Sequence, residues 1–85
     1  MKQLTQAIFD GAPEWVKSAA IDENGELHYH SKTKDRLVAI PANGDWLGCH
    51  DAYVSPPDYN KTELVGSGYD ATDWENSAID REVSA

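Results

Sequence analysis

The sequence predicts an α+β fold: a small antiparallel β-meander of three to five strands with short N-terminal and C-terminal helices. Three observations carry that expectation. Asn24-Gly25 separates two short runs suited to strands, β-branched residues mark Arg36-Leu37-Val38-Ala39-Ile40, and Thr72-Asp73-Trp74-Glu75 has the form of a helix-capping box. The 85 residues suit one domain spanning 1–85. A chain of this length buries only ~60–65% of the surface its unfolded form exposes, so the expected core is small and anchored by tryptophan.

Leu4, Ala7 and Ile8 share one face at helical spacing, and Gly11 follows where a C-terminal cap belongs, which predicts a short helix over 3–10. Pro13 then opens Pro13-Glu14-Trp15-Val16. Proline at a first helical position and an acid in the first turn predict one more helical turn, with Trp15 facing inward as the first core anchor.

The clearest local signal is the run from Ala19 to His30, read as a hairpin. A two-residue turn at Asn24-Gly25 would pair Ile21 with His28 and Ala20 with Tyr29, scattering apolar residues over both faces. A type I turn starting at Asp22, with Gly25 left-handed as a bulge, instead pairs Ile21 with Leu27 and Ala19 with Tyr29 on one face. The bulged turn is the expected one. It sends His28 and His30 to the opposite face, expected to be the more solvated.

A polar tip at 31–35 leads into Arg36–Ile40, expected as a central strand, and Pro41-Ala42-Asn43-Gly44 is the next turn. Asp45 to His50 returns as a fourth strand, with Tyr53 and Val54 extending it beyond an irregular point near Asp51. Turn formers dominate from Ser55-Pro56-Pro57 to Gly66-Ser67-Gly68, with Thr62-Glu63-Leu64-Val65 as a short edge strand. After the capping box, Trp74, Ala78 and Ile79 share one side of a helix expected to run to about Glu82 and to dock Trp74 on the sheet.

Charge narrows the function classes. The chain carries 15 Asp and Glu against 7 Lys and Arg, a net charge of −8. Such a field repels phosphate backbones and attracts basic protein surfaces, so the expected partner is a protein and no direct contact with nucleic acid is expected. No window approaches the roughly 18 continuous apolar residues of a membrane span, and the N-terminus lacks the pattern of an export signal. Cys49 is the only cysteine, which suits a reducing compartment; a cytoplasmic protein is expected.

Catalytic and metal readings find little support in the spacing. His28, His30, Cys49 and His50 suggest zinc by type, yet Cys49 and His50 are strand neighbours pointing to opposite faces and match none of the usual zinc patterns. Solvated surface histidines are expected. Cys49, a histidine and Asp51 form a nucleophilic triad only on paper, since no strained nucleophile turn accompanies them; Cys49 reads as a small buried residue. Gly66-Ser67-Gly68 is too short to cradle phosphate, and Lys32, Lys34 and Arg36 read as a solvated hairpin tip. No enzyme activity, cofactor or metal is expected.

What remains is surface chemistry. Residues 58–85 hold seven acids and two basic residues. Asp58, Glu63, Asp70, Asp73, Glu75, Asp80 and Glu82 stand there among Tyr59, Tyr69 and Trp74, so carboxylates lie beside large amphipathic rings. These ten residues are the candidate partner-binding set: acids would mimic the phosphates that a basic groove normally receives, and an aromatic ring would fill a pocket. The competing reading places Tyr69 and Trp74 in the core, with the acids only solubilising the fold.

Ala12-Pro13-Glu14-Trp15-Val16-Lys17, then Ala19-Ala20-Ile21-Asp22 and Asn24-Gly25, a strand with Tyr29, Trp46 near mid-chain and Asp73-Trp74 near the end form a scattered pattern over residues 12–79. In these positions the chain resembles small accessory proteins of tailed bacteriophages. It departs from them in having Asp80-Arg81-Glu82 where an Arg-Pro often closes such proteins. The resemblance implies a phage setting and carries over no site. Small phage proteins often bind and block host enzymes, so a stoichiometric inhibitor of a CRISPR effector, a restriction enzyme, uracil-DNA glycosylase or another DNA-processing enzyme is the leading expectation. A self-associating structural or adaptor protein is the alternative, with a small metal-binding protein behind it.

Overall fold

The Asp22–Gly25 turn organises the first hairpin. In the computed structural model, which describes residues 3–48 and 60–82, the Gly25 N–H donates to the Asp22 carbonyl at 2.9 Å and the Asp22 N–H to the Glu26 carbonyl at 2.8 Å. Gly25 has φ +84°, the left-handed conformation that the bulged turn requires. Strands β1 (Ser18–Ile21) and β2 (Leu27–His30) then pair with Ile21 opposite Leu27 and Ala19 opposite Tyr29, the expected register. A Cβ on Gly25 would lie 3.0 Å from the Tyr69 carbonyl oxygen as well as straining the backbone. Gly25→Ala is therefore expected to lower stability by about 1 kcal/mol or more in urea unfolding; an unchanged midpoint would overturn this account of the turn.

The rest of the sheet is not the expected meander. Its order is β5-β2-β1-β6, with β5 at Thr62–Gly66 and β6 at Ile79–Asp80, every pairing antiparallel. Strands β3 (Leu37–Ile40) and β4 (Asp45–Gly48) form a separate two-stranded ribbon. The expected central strand over 36–40 thus pairs only with β4 among the described residues. Two contacts divert the chain. The Ser31 N–H bonds to the Lys61 carbonyl at 2.9 Å, giving that edge of β2 to β5. A 3-10 turn at Lys34–Arg36 follows, with the Lys34 N–H held by Asp80 Oδ1 at 2.7 Å.

Neither expected helix forms. The described residues contain only single 3-10 turns, at Gln6–Phe9, Lys34–Arg36 and Trp74–Asn76, so the fold is mostly β. At the C-terminal end the capping box is diverted, because the Thr72 hydroxyl donates to Asp70 Oδ1 at 2.7 Å and Asp73 makes no capping bond. Ser77 then competes with helix propagation. Its hydroxyl donates to the Trp74 carbonyl at 2.7 Å and accepts from the Ile21 N–H at 2.8 Å, a contact to β1 just before β6 begins. At the N-terminal end one turn is too short to propagate, and Gln6 is spent elsewhere: its side-chain amide donates to the Asp80 carbonyl at 2.8 Å and accepts from the Glu82 N–H at 3.0 Å.

The core lies on the face of β1 and β2 that carries Ala19, Ile21, Leu27 and Tyr29, joined by Phe9, Val16 and Trp74. Phe9 stacks on Tyr29 with centroids 6.1 Å apart, the Tyr29 hydroxyl donates to the Ile8 carbonyl, and Trp74 meets Trp46 edge to face at 6.4 Å. Val16, not Trp15, is the buried residue of the Pro13 turn. Trp15 packs at the margin of the core with the Lys61 ammonium 4.6 Å above its ring. Arg81 fastens the turn to β6, its guanidinium donating to the carbonyls of Pro13 at 2.9 Å and Val16 at 3.3 Å.

The opposite face of the hairpin is also covered, which corrects the expectation of solvated histidines. His30 is only 2% exposed. The ribbon folds over this face, placing Asp45 and Trp46 of β4 with His28 and His30 around one cavity. Three contacts hold it there: Trp46 Nε1 donates to the Ile21 carbonyl at 3.0 Å, the Glu23 N–H bonds to the Gly44 carbonyl at 2.9 Å, and Gly48 makes room for Asn60. Lys32, expected in a solvated tip, is likewise buried.

Candidate functional site

The acidic and aromatic segment does not form one surface. Glu63 stands exposed on β5, opposite Tyr29, while Asp80 belongs to β6 at the other side of the four-stranded sheet. Asp80 is tied to the Lys34 N–H, and with the exposed Glu82 it lines a groove of about 570 Å³ shared with Glu14, Lys17 and Arg81. That groove is mixed in charge rather than acidic. Asp58 and Tyr59, together with Cys49, His50, Asp51, Tyr53 and Val54, lie outside the described residues.

What the fold does bring together is the loop from Tyr69 to Asn76. Asp70 accepts hydrogen bonds from the Thr72 hydroxyl at 2.7 Å and the Thr72 N–H at 3.1 Å. These two donors, the hydroxyl first, hold the Asp70 carboxyl below its ordinary value, so it stays ionised. Asp73 accepts from the Asn76 side-chain amide at 2.9 Å, and Glu75 is exposed beside it. The result is a short loop with three carboxylates, two of them held by neighbouring side chains.

The aromatic residues of this loop serve mainly the core. Trp74 is 8% exposed and spends its ring on Trp46 and the apolar cluster. Tyr69 is half-buried against the same cluster, and its N–H bonds to the Gly25 carbonyl at 3.1 Å. Both rings position the loop on the hairpin.

A second polar cluster, which the sequence does not reveal, surrounds His28 and His30. His28 Nδ1 lies 3.1 Å from Asp22 Oδ2, and Asn60 Nδ2 lies 3.0 Å from His30 Nδ1. Burial, with His28 adding to it, pushes His30 down to about 4, so its ring is neutral at pH 7. Asp22 moves the other way: burial raises it against the opposing pull of His28, and Asp45 and Glu26 raise it further. No signal along the chain announces this cluster, because Asp45 and Asn60 reach it only through the ribbon and β5. Among the described residues no group of three or more His, Cys, Asp or Glu could hold a metal ion. No helix among them is long and apolar enough to cross a membrane.

Comparison with protein-family models, with curated proteins and with solved structures found no match.

Proposed function

We propose that this chain is a small acidic protein of bacteriophage type that binds a host nucleic-acid-processing or defence enzyme in the host cytoplasm and inhibits it by occupying the enzyme's basic groove. The observation that carries this reading is the Asp70–Glu75 loop. The carboxylates of Asp70 and Asp73 are held by hydrogen bonds within the loop, so little ordering of these two is left to do on binding. The net charge of −8 supports it, since a field of that sign steers the protein towards Lys and Arg. Glu63, Asp80 and Glu82 would contribute at longer range, and Tyr69 would meet the target at the loop's margin. Inhibition here is stoichiometric, with no bond made or broken.

The test is a pull-down from bacterial lysate with tagged protein at low and high salt, followed by the triple variant Asp70→Lys, Asp73→Lys, Glu75→Lys. A nucleic-acid enzyme captured at low salt and lost at high salt is expected, with binding weakened at least about tenfold in the variant. Undiminished inhibition by the variant would sink the proposal. Recovery of the chain alone would favour the self-associating structural or adaptor protein. For that reading the supporting observation is Val38 and Leu47, cross-strand partners on the ribbon that are 49% and 62% exposed.

A further inference from the structure

One side-chain amide ties the first hairpin to the β3–β4 ribbon. Asn60 Oδ1 accepts from the Lys32 N–H at 3.3 Å, which turns the amide nitrogen towards His30 Nδ1, 3.0 Å away. An amide nitrogen only donates, so Nδ1 accepts and the proton of the neutral ring sits on Nε2. On its other side Asn60 meets β4: a Cβ added to Gly48 would run into the Asn60 side chain, so the Gly48 backbone lies directly against it.

A second proton on His30 has one place to go. It must enter at Nδ1, where it would face the Asn60 amide donor against donor. Flipping the amide puts an acceptor there but sets its nitrogen against the Lys32 N–H, and Gly48 blocks the side chain from swinging aside. The charged ring also has no compensation where it lies. His30 is 2% exposed, and its Nε2 has no hydrogen-bond partner among the described residues.

The groups around the ring do not supply that compensation. Ser18 of β1 and Thr62 of β5, its cross-strand partners, are uncharged. Of the carboxylates on this face, Asp22 is engaged by His28 at 3.1 Å and Asp45 stands exposed on β4. Lys32 and a protonated His28 carry charge of the same sign as a protonated His30. Burial, with His28 adding to it, accordingly holds the ring at about 4.

From this geometry we propose that Asn60 is an acid-released latch: a proton entering at His30 Nδ1 expels the Asn60 amide, and the β3–β4 ribbon lifts from the hairpin while the four-stranded sheet stays paired. Lifting hydrates the ring and breaks the bonds from Trp46 Nε1 to the Ile21 carbonyl and from the Glu23 N–H to the Gly44 carbonyl. The sheet keeps its own support. Lys61, next to Asn60, accepts from the Ser31 N–H and donates to the Ser31 hydroxyl, so β5 stays on β2, and the opposite face remains packed on Phe9 and Val16. The latch lies apart from the Asp70–Glu75 loop and does not depend on the inhibitor reading.

The experiment is hydrogen exchange of the intact chain followed by NMR at pH 7 and pH 5, with and without low urea, reading the Trp46 indole N–H and the Glu23 N–H against the amides of the β1–β2 ladder. Relative to their free rates, the two ribbon reporters are expected to lose roughly twentyfold in protection at pH 5, the factor set by 6.5 in the open state and about 4 in the closed one. They should exchange faster than the ladder at both pH values and almost independently of urea, as a local opening does. Asn60→Asp should abolish the acid effect, because a carboxylate accepts from both the Lys32 N–H and a protonated His30. His30→Gln should abolish it by removing the proton site. Ribbon reporters that match the ladder in protection and urea dependence would show that only global unfolding exposes His30, and would overturn the latch. So would an unchanged acid effect in Asn60→Asp.

Discussion

Leu27→Ala is expected to cost about 2–5 kcal/mol of folding stability, the range for a buried leucine whose cavity cannot fully collapse. Leu27 is 0% exposed and sits in β2 between Ile21 of β1 and Gly66 of β5. Collapse is limited there, because the neighbouring strands are held by their own ladders. A domain of this length has roughly 4–13 kcal/mol in total at about 0.05–0.15 kcal/mol per residue, so the variant would stand near the edge of folding. Leu47→Ala is the control: Leu47 is 62% exposed, and its loss should stay within about 0.5 kcal/mol. Urea unfolding followed by tryptophan fluorescence measures both. A Leu27 variant that loses less than about 1 kcal/mol would mean that the core lies elsewhere.

Acid should destabilise the fold through His30. Its ordinary value is 6.5 and burial lowers it to about 4 in the folded chain. Between those values the unfolded chain takes up a proton that the folded chain refuses, so stability is full above pH 6.5 and falls as the pH drops towards 4. The loss amounts to about 3 kcal/mol at 1.36 kcal/mol per pKa unit. Asp22 opposes it at the acidic end, because a carboxyl raised in the folded state binds its proton more readily there than in the unfolded chain. His30→Gln removes the titrating group and should flatten the profile over this range. Unfolding curves at pH 7, 6, 5 and 4.5 would decide it; the same slope in both proteins would show that His30 is not the acid-sensitive group.

The candidate loop was legible in part. Composition pointed to the acids of 58–82, and Asp70, Asp73 and Glu75 do share one loop. The spread of Glu63 and Asp80 to opposite sides of the sheet was not legible, because a linear run of charge carries no record of which strand pairs with which. The polar cavity was hidden for the same reason. His28 and His30 alternate as solvent-facing residues do, and the ribbon, 15 residues further on at Asp45, folds over them, leaving His28 half-buried and His30 buried.

The helices failed for a local reason with a tertiary cause. Thr72-Asp73-Trp74-Glu75 satisfies the capping pattern, but Thr72 bonds to Asp70 and Ser77 to β1, and these bonds compete with the helical ones.

By itself the sequence determined the first hairpin, its bulged turn and its register, because one glycine at positive φ and the alternation of Ala19, Ile21, Leu27 and Tyr29 are short-range constraints with a single good solution. It also determined the acidic field, which depends on composition alone. Only the tertiary structure decided that β5 and β6 flank the hairpin, that β3 and β4 fold over its second face, and that His30 is buried. Those outcomes rest on contacts between residues far apart in the chain, such as Ser31 with Lys61 and Lys34 with Asp80, whose closure no local preference encodes.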